Sequence, residues 1–272
     1  MKRWFSLPYL VWMVIFITVP LLLILFYAVT ERTDQGLVFT ANHFKQIFDP
    51  LYLKVFLRSF KIAFIATLIC LALGYPVALF LASKDFPNSS TYLLLFVIPM
   101  WMNFLLRTYA WLTLLENNGI INQALELLGI SKVQFLYNEG AVILGTVYNF
   151  LPFMVLPVYS VIVKIDESVI RAAQDLGANN IQVLLKVIVP LSLPGVISGI
   201  TMVFMPSVST FVISRLLGGG QFPLIGNIIE QQFLLTSNWG FGSALSFVLL
   251  VLVIISMFFT NMNNKDGKES IL

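Results

Sequence analysis

Residues 164–195 read KIDESVIRAAQDLGANNIQVLLKVIVPLSLPG. The first half is a charged island holding Lys164, Asp166, Glu167, Arg171 and Asp175. Asp166 is placed to cap a short helix, because a carboxylate there can accept from the free backbone N–H groups of a first turn. Val169, Ala172, Ala173 and Leu176 follow at spacings of three and four, which puts them on one helical face. Gly177 falls where a glycine in the left-handed conformation would end that helix. Asn179 or Asn180 can start a second short helix. Pro190 and Pro194 are expected to interrupt the start of the apolar stretch beyond. By itself the pattern fits either a surface helix joining two membrane spans or a docking element.

Working outward, the island is bounded on both sides by long charge-free runs. A span needs about 20 mostly apolar residues to cross about 30 Å of hydrocarbon. Six runs meet that length: residues 8–29, 62–83, 91–115, 141–163, 187–214 and 241–261, the third carrying one charge, Arg107. The first exceeds the apolar core of a cleaved signal peptide and reads as a retained span. Of the 272 residues 58% are apolar and 11% charged, and the mean hydropathy is +0.90. That charge share is under half that of a soluble domain, about 25%. Backbone in lipid must satisfy its own hydrogen bonds, so the spans are helices. The expected fold class is an all-α polytopic membrane protein with six transmembrane helices. Its expected organisation is an N-terminal span with an outer loop over 1–56, a transmembrane domain over 57–262 with the loop 164–187 inside it, and a tail over 263–272.

Charge sets orientation and excludes some functions. With the N-terminus inside, the inner segments hold eight Lys/Arg (Lys2, Arg3, Lys84, Lys164, Arg171, Lys186, Lys265, Lys268) and the longer outer ones seven. The density of basic residues therefore favours both termini in the cytoplasm. A net charge of +3 is too small for a nucleic-acid partner. The single histidine, His43, and the single cysteine, Cys70, make no metal set. No G-x-x-x-x-G-K-[ST] run occurs, so no phosphate-binding loop is present. No paired His, Ser-His or acidic metal cluster lies in the spans, which argues against a membrane-embedded enzyme. Residues 116–140 carry Ile120, Ile121, Ala124, Leu125, Leu127 and Leu128 at helical spacing, the mark of an amphipathic surface helix.

Arg171-Ala172-Ala173, three residues, Gly177, nine residues, then Val187-x-Val189-Pro190 resembles the Glu-Ala-Ala loop of ABC importer permeases. Ala, Ala, Gly and Pro match that pattern; Arg171 departs from its usual glutamate. The resemblance implies a type I (MetI-like) permease fold. It also implies that 164–187 is a cytoplasmic coupling loop seated on an ATPase, with Asp166, Arg171, Ala172, Ala173, Asp175, Gly177 and Pro190 taking part. Residues 99–122, PMWMNFLLRTYAWLTLLENNGIIN, and 207–242, with RLLGGG and IGN, are similar to the spermidine/putrescine (PotB-type) permease family. What that implies is a membrane subunit of an ATP-driven polyamine importer. Its implied partners are a homologous second permease, two ATPase subunits that bind the ATP, an extracytoplasmic polyamine-binding protein and membrane lipid. No resident cofactor is implied. A permease for another small solute, or a stand-alone secondary transporter, is the alternative.

A polycation needs carboxylates and aromatic faces along its path, each cation–π contact being worth about 0.5–2 kcal/mol. The path candidates are Trp101, Tyr109, Trp111, Glu116 and Glu230. Tyr109 and Trp111 fit an interfacial aromatic belt equally well, and the two glutamates fit plain loop charges. Arg107 is an intramembrane charge costing about 2.5–3.5 kcal/mol at a helix centre. It would repel a polycation, so its expected role is structural: capping carbonyls, pairing with a partner's carboxylate, or snorkelling to the surface.

Overall fold

A computed structural model describes residues 7–33, 36–83 and 89–269; nothing is stated of the side chains of Leu7, Thr33, Ser90 and 259–269. Lys2, Arg3 and Lys84, which enter the charge count above, lie outside the described residues. In chain order the elements are α1 (Pro8–Val29), a hairpin of β1 (Thr30–Thr33) and β2 (Gly36–Phe39), α2 (Asn42–Ile47), α3 (Pro50–Ala82) and α4 (Ser89–Val97). Then come α5 (Phe104–Leu115), α6 (Ile120–Leu127), α7 (Glu139–Ile162), α8 (Glu167–Asp175) and α9 (Asn180–Ser209). The chain closes with α10 (Val212–Leu217), α11 (Ile225–Leu234) and α12 (Trp239–Glu269). Among the described residues five helices are long and apolar enough to cross a membrane, and the bent pair at 91–127 brings the number to six when it is counted as one span.

The centre is a three-helix packing of α3, α7 and α9. On α3 the face turned inward is a stripe of small residues: Ser59, Ala63, Ala66, Cys70, Gly74 and Ala78, all buried. Lipid tails are as apolar as leucine, so spans adhere through close van der Waals contact, and small residues permit it. Gly74 admits Met154 of α7, and Val147, Val155, Val158 and Val203 complete the cluster. Hydroxyls within the spans bond back to their own helix: Thr67 to the Ala63 carbonyl at 2.7 Å, Thr146 to Val142 at 2.7 Å and Ser207 to Val203 at 2.6 Å. That leaves no buried donor on those side chains unpaired. α1 packs along α12 at the margin of the bundle, its outer side a sheet of exposed apolar residues.

Three spans differ from their sequence reading. The second begins at Pro50, not 62, because Lys54, Arg58 and Lys61 lie on a helical stem. Arg58 and Lys61 face Glu139 at the start of α7, at 3.9 and 2.7 Å, and charge marks the end of the apolar run rather than the end of the helix. The third span is not continuous over 91–115. A 3₁₀ turn at Ile98–Trp101 ends α4, Met102 and Asn103 are extended, and Asn103 Oδ1 accepts from Leu105 N at 2.8 Å to start α5. The two arms meet at 92°.

The fifth span is the reverse case. Asn179 and Gln182 form a reciprocal cap at 2.9 and 3.0 Å, as expected of a second helix start. That helix does not stop before Pro190; it runs on to Ser209 as one shaft, and 212–214 belongs to the separate α10. A π-turn at Leu184–Ile188, closed by Val189 N donating to Leu184 O, sits just before the proline. A proline ring collides with the carbonyl four residues back, and the wider turn moves that carbonyl aside. The same device precedes Pro20 in α1, where Val14–Thr18 is a π-turn.

Candidate functional site

Two regions bear the chemistry that the sequence singled out: the short helix α8 and the face opened by the broken third span. α8 is a compact local build. Asp166 Oδ1 accepts from Ser168 N at 2.9 Å, closing its first turn. At the other end Gly177 has φ +85°, its N–H donates to Gln174 O at 2.8 Å, and Ala178 N donates to Ala173 O at 3.0 Å. That pair of bonds is the Schellman stop, and the positive φ favours glycine. None of α8 is buried. Val169 and Ala172 are exposed, and Leu176 is 90% exposed, a leucine side chain presented almost whole. Arg171 reaches back to Glu167 at 2.9 Å, one turn away. With Ile165, Ile170 and Gln174 these two line a cleft of about 730 Å³ between α8 and the ends of α3 and α7. Arg171, which the family resemblance implied among the docking residues, lines this cleft with its side chain largely exposed. Asp175 is exposed in the last turn.

The shaft α9 carries α8 toward the core. Pro190 lies where π-turn meets α-helix, and two residues on, Ser192 Oγ is 2.8 Å from the Tyr75 hydroxyl of α3. Gly195 and Gly199 face α7 so closely that a Cβ on Gly195 would lie 2.8 Å from the Pro157 carbonyl. Neither Tyr75 nor these glycines stood out in the sequence, since their importance lies in contacts 34 or more positions away.

The broken span separates the five path candidates. On α5 one face is open (Leu105, Leu106, Tyr109, Thr113) and runs on to the capping residue Glu116. The other face (Arg107, Thr108, Trp111, Leu112, Leu115) turns toward α7 and α10. Trp101, at the break, is 81% exposed, and Tyr109 is half exposed. Trp111 stacks edge-on against Tyr148 with centroids 5.1 Å apart, so it belongs to the packing side. Glu230 is paired with Arg215 across α10 and α11. Tyr109 and Glu116 thus share the open face of α5, Trp101 is exposed at the bend before it, Trp111 lies on the packing side, and Glu230 is held by Arg215.

The IGN run is a structural hub. Asn227 Oδ1 accepts from Leu224 N at 2.9 Å and meets Ser214 Oγ, while its amide donates to Phe211 O at 2.8 Å. Ile225 N donates to Ser59 Oγ at 2.8 Å. A Cβ on Gly226 would collide with the backbone carbonyl of Ser209. Gly226→Ala should therefore lower the thermal aggregation midpoint of the purified chain by several degrees, a cost of about 1–3 kcal/mol. An unchanged midpoint would mean that α11 can shift away freely.

A bundle of long apolar helices, an exposed short helix at the foot of a continuous shaft and a sharply bent third segment together describe a multi-pass helical membrane protein. The chain belongs to the family of binding-protein-dependent transport system inner membrane components, whose profile matches residues 74–266. It is 40% identical over 247 residues to the spermidine/putrescine transport system permease protein PotB of Escherichia coli K12, covering 89% of this chain and 90% of that one. Identity is 42% over 262 residues to PotB of Haemophilus influenzae, covering 93% and 91%. Among solved structures it superposes on a chain of a bacterial ABC transporter importing the acidic polysaccharide alginate, with a TM-score of 0.82 at 16% identity over 96% and 94% of the two chains. The inward-facing methionine transporter MetNI gives 0.60 at 18% identity over 82% and 98%. The fold is thus that of the MetI-like permeases.

Proposed function

We propose that this chain is the permease subunit of an ATP-driven importer of polyamines of the spermidine and putrescine class. The observation that carries the reading is the bent third segment, whose second arm presents Tyr109 and Glu116 on one exposed face, with Trp101 exposed at the bend before it. Two aromatic faces and a carboxylate suit a flexible polycation. The similarity to polyamine permeases over about nine-tenths of both chains supports the same cargo. Irregular backbone at membrane depth is tolerated only against protein or a water-filled cavity, so the break at 102–103 belongs at the path or a subunit seam. A homologous second permease completes the pathway, and an extracytoplasmic binding protein delivers the polyamine.

In this reading the bundle stands with α8 and both termini in the cytoplasm. α8 docks on an ATPase through Val169, Ala172 and Leu176, and α9 carries its displacement to the core. ATP is bound and hydrolysed by that partner, and the chain is not itself an enzyme. The test is reconstitution of the four-component complex in proteoliposomes with labelled spermidine. Uptake should require both internal ATP and the external binding protein. Uptake of an amino acid, a sugar or iron in place of the polyamine would overturn the cargo, and uptake by this chain alone would overturn the subunit reading.

The path residues make a sharper prediction. Tyr109→Ala together with Glu116→Gln should reduce spermidine uptake about tenfold at low salt. Uptake of the shorter dication putrescine should fall less. Because exposed charges are screened over about 8–10 Å at physiological salt, part of the spermidine defect should vanish as ionic strength rises. Equal losses for both cargoes at all salt concentrations would remove these residues from the path.

A further inference from the structure

Arg107 is the charge that this fold leaves unanswered. It lies one turn into α5, only 7% exposed, and its Nε is buried without a hydrogen-bond partner. Among the described residues its side chain donates to no carbonyl. No described carboxylate pairs with it either. Glu139 is held by Arg58 and Lys61, Glu126 by Lys132, Glu230 by Arg215 and Glu167 by Arg171. Asp49 and Asp166 cap helices. Glu116 lies on the same helix as Arg107 but on its open face. A guanidinium whose Nε is buried without a hydrogen-bond partner, and whose charge meets no described anion, is unfavourable, and buried charges are kept where they are paired.

We infer that Arg107 is the receptor for a carboxylate of the second permease, which enters beside α5 and closes an ion pair across the subunit seam. The extended, exposed backbone at Met102 and Asn103, one turn away, indicates that this side of the molecule abuts protein or water and not lipid tails. An arginine suits the role because its planar fork binds a carboxylate through two parallel bonds. Pairing also neutralises a positive charge that would otherwise repel a polycation passing Trp101 and Tyr109. The inference rests on the proposed partnership with a second permease, but not on the identity of the cargo.

The test reads assembly, not transport. A tagged chain is co-expressed with the second permease and the ATPase, extracted in mild detergent, and the co-recovered second permease is measured. Arg107→Met should lower that recovery about tenfold or more, with the chain's own level in the membrane unchanged. Arg107→Lys should lose less. Expressed without partners, the Arg107→Met chain should persist at least as long as the parent, because an unpaired buried charge has been removed. Among suppressors of Arg107→Glu, changes of an acid to Lys or Arg in the second permease should appear. Undiminished recovery with Arg107→Met overturns the inference. So does a shorter lifetime of the lone variant, which would give Arg107 a partner within this chain, or restoration of assembly by added phosphatidylglycerol, which would make the anion a lipid phosphate. If the parent chain recovers no second permease at all, the proposed function fails and not merely this contact.

Discussion

Gly177→Val is expected to leave the chain inserted and the core intact while ATP-driven uptake falls about tenfold or more. The reason is conformational: the backbone there has φ +85°, a value that a β-branched residue adopts only under strain. Nothing lies within 4 Å of the position a Cβ would take, so no clash confuses the result. The strain can be relieved only by unwinding the α8 stop, which uncouples the direction of α8 from that of α9. Loss of a residue-specific αL conformation costs about 1–3 kcal/mol, enough to shift most of the population away from the docking-competent geometry. The measurements are co-purification of the ATPase and uptake, both against membrane levels of the chain. Gly177→Asn, which tolerates αL, should recover most of the loss. Normal uptake with valine would mean that α8 does not transmit force.

The second large effect is expected at the other end of the same shaft. Gly195→Leu places its side chain against the Pro157 carbonyl, Val158 Cα and Val161, 2.8–3.1 Å from where Cβ would begin. Backbone cannot rotate out of the way as a side chain can, so α7 and α9 must separate. Overpacking costs about 1–3 kcal/mol and occasionally more, and here the cost falls in the central three-helix packing. Detergent-extracted protein should aggregate at a markedly lower temperature, and the steady-state level should drop several-fold. Met202→Leu, on an exposed face of the same helix, serves as the control and should change neither. A Gly195→Leu protein as stable as the control would show that the α7–α9 contact is loose.

Spans, their number and the build of α8 were legible because each depends on local chemistry. Charge-free runs mark the spans, Asp166 and Gly177 sit at the two ends of one helix, and their cap bonds lie within a few residues. What escaped was set by partners far along the chain. The stem of α3 looked like a loop because Lys54, Arg58 and Lys61 end the apolar run, while Glu139, 78 residues beyond Lys61, anchors the stem from another helix. The break in the third span had a visible signal, Pro99 followed by the capping residue Asn103, masked by the hydropathy around it. Pro190 misled in the opposite sense. A proline ordinarily breaks a helix, but here a π-turn precedes Pro190, and Pro194 and Pro206 sit inside the regular helix that follows. For the path candidates, helical phase alone would have placed Trp111 opposite Tyr109. It could not have told that Arg215 occupies Glu230.

The π-turn at Leu184–Ile188 also fixes an angle. An α-helix advances about 100° per residue, and a turn closed five residues back holds one residue more than the regular ladder requires. Everything on the α8 side of Leu184 is therefore rotated by one residue's phase relative to the face that Gly195 and Gly199 press on α7. The bearing of Leu176 around the shaft is set by that surplus residue, as a key is set by its cut. Evolution of a different docking angle in such a chain needs no new fold. A single gained or lost residue next to Pro190 would turn the projecting helix toward another quarter of the compass while leaving every core contact beyond it in register.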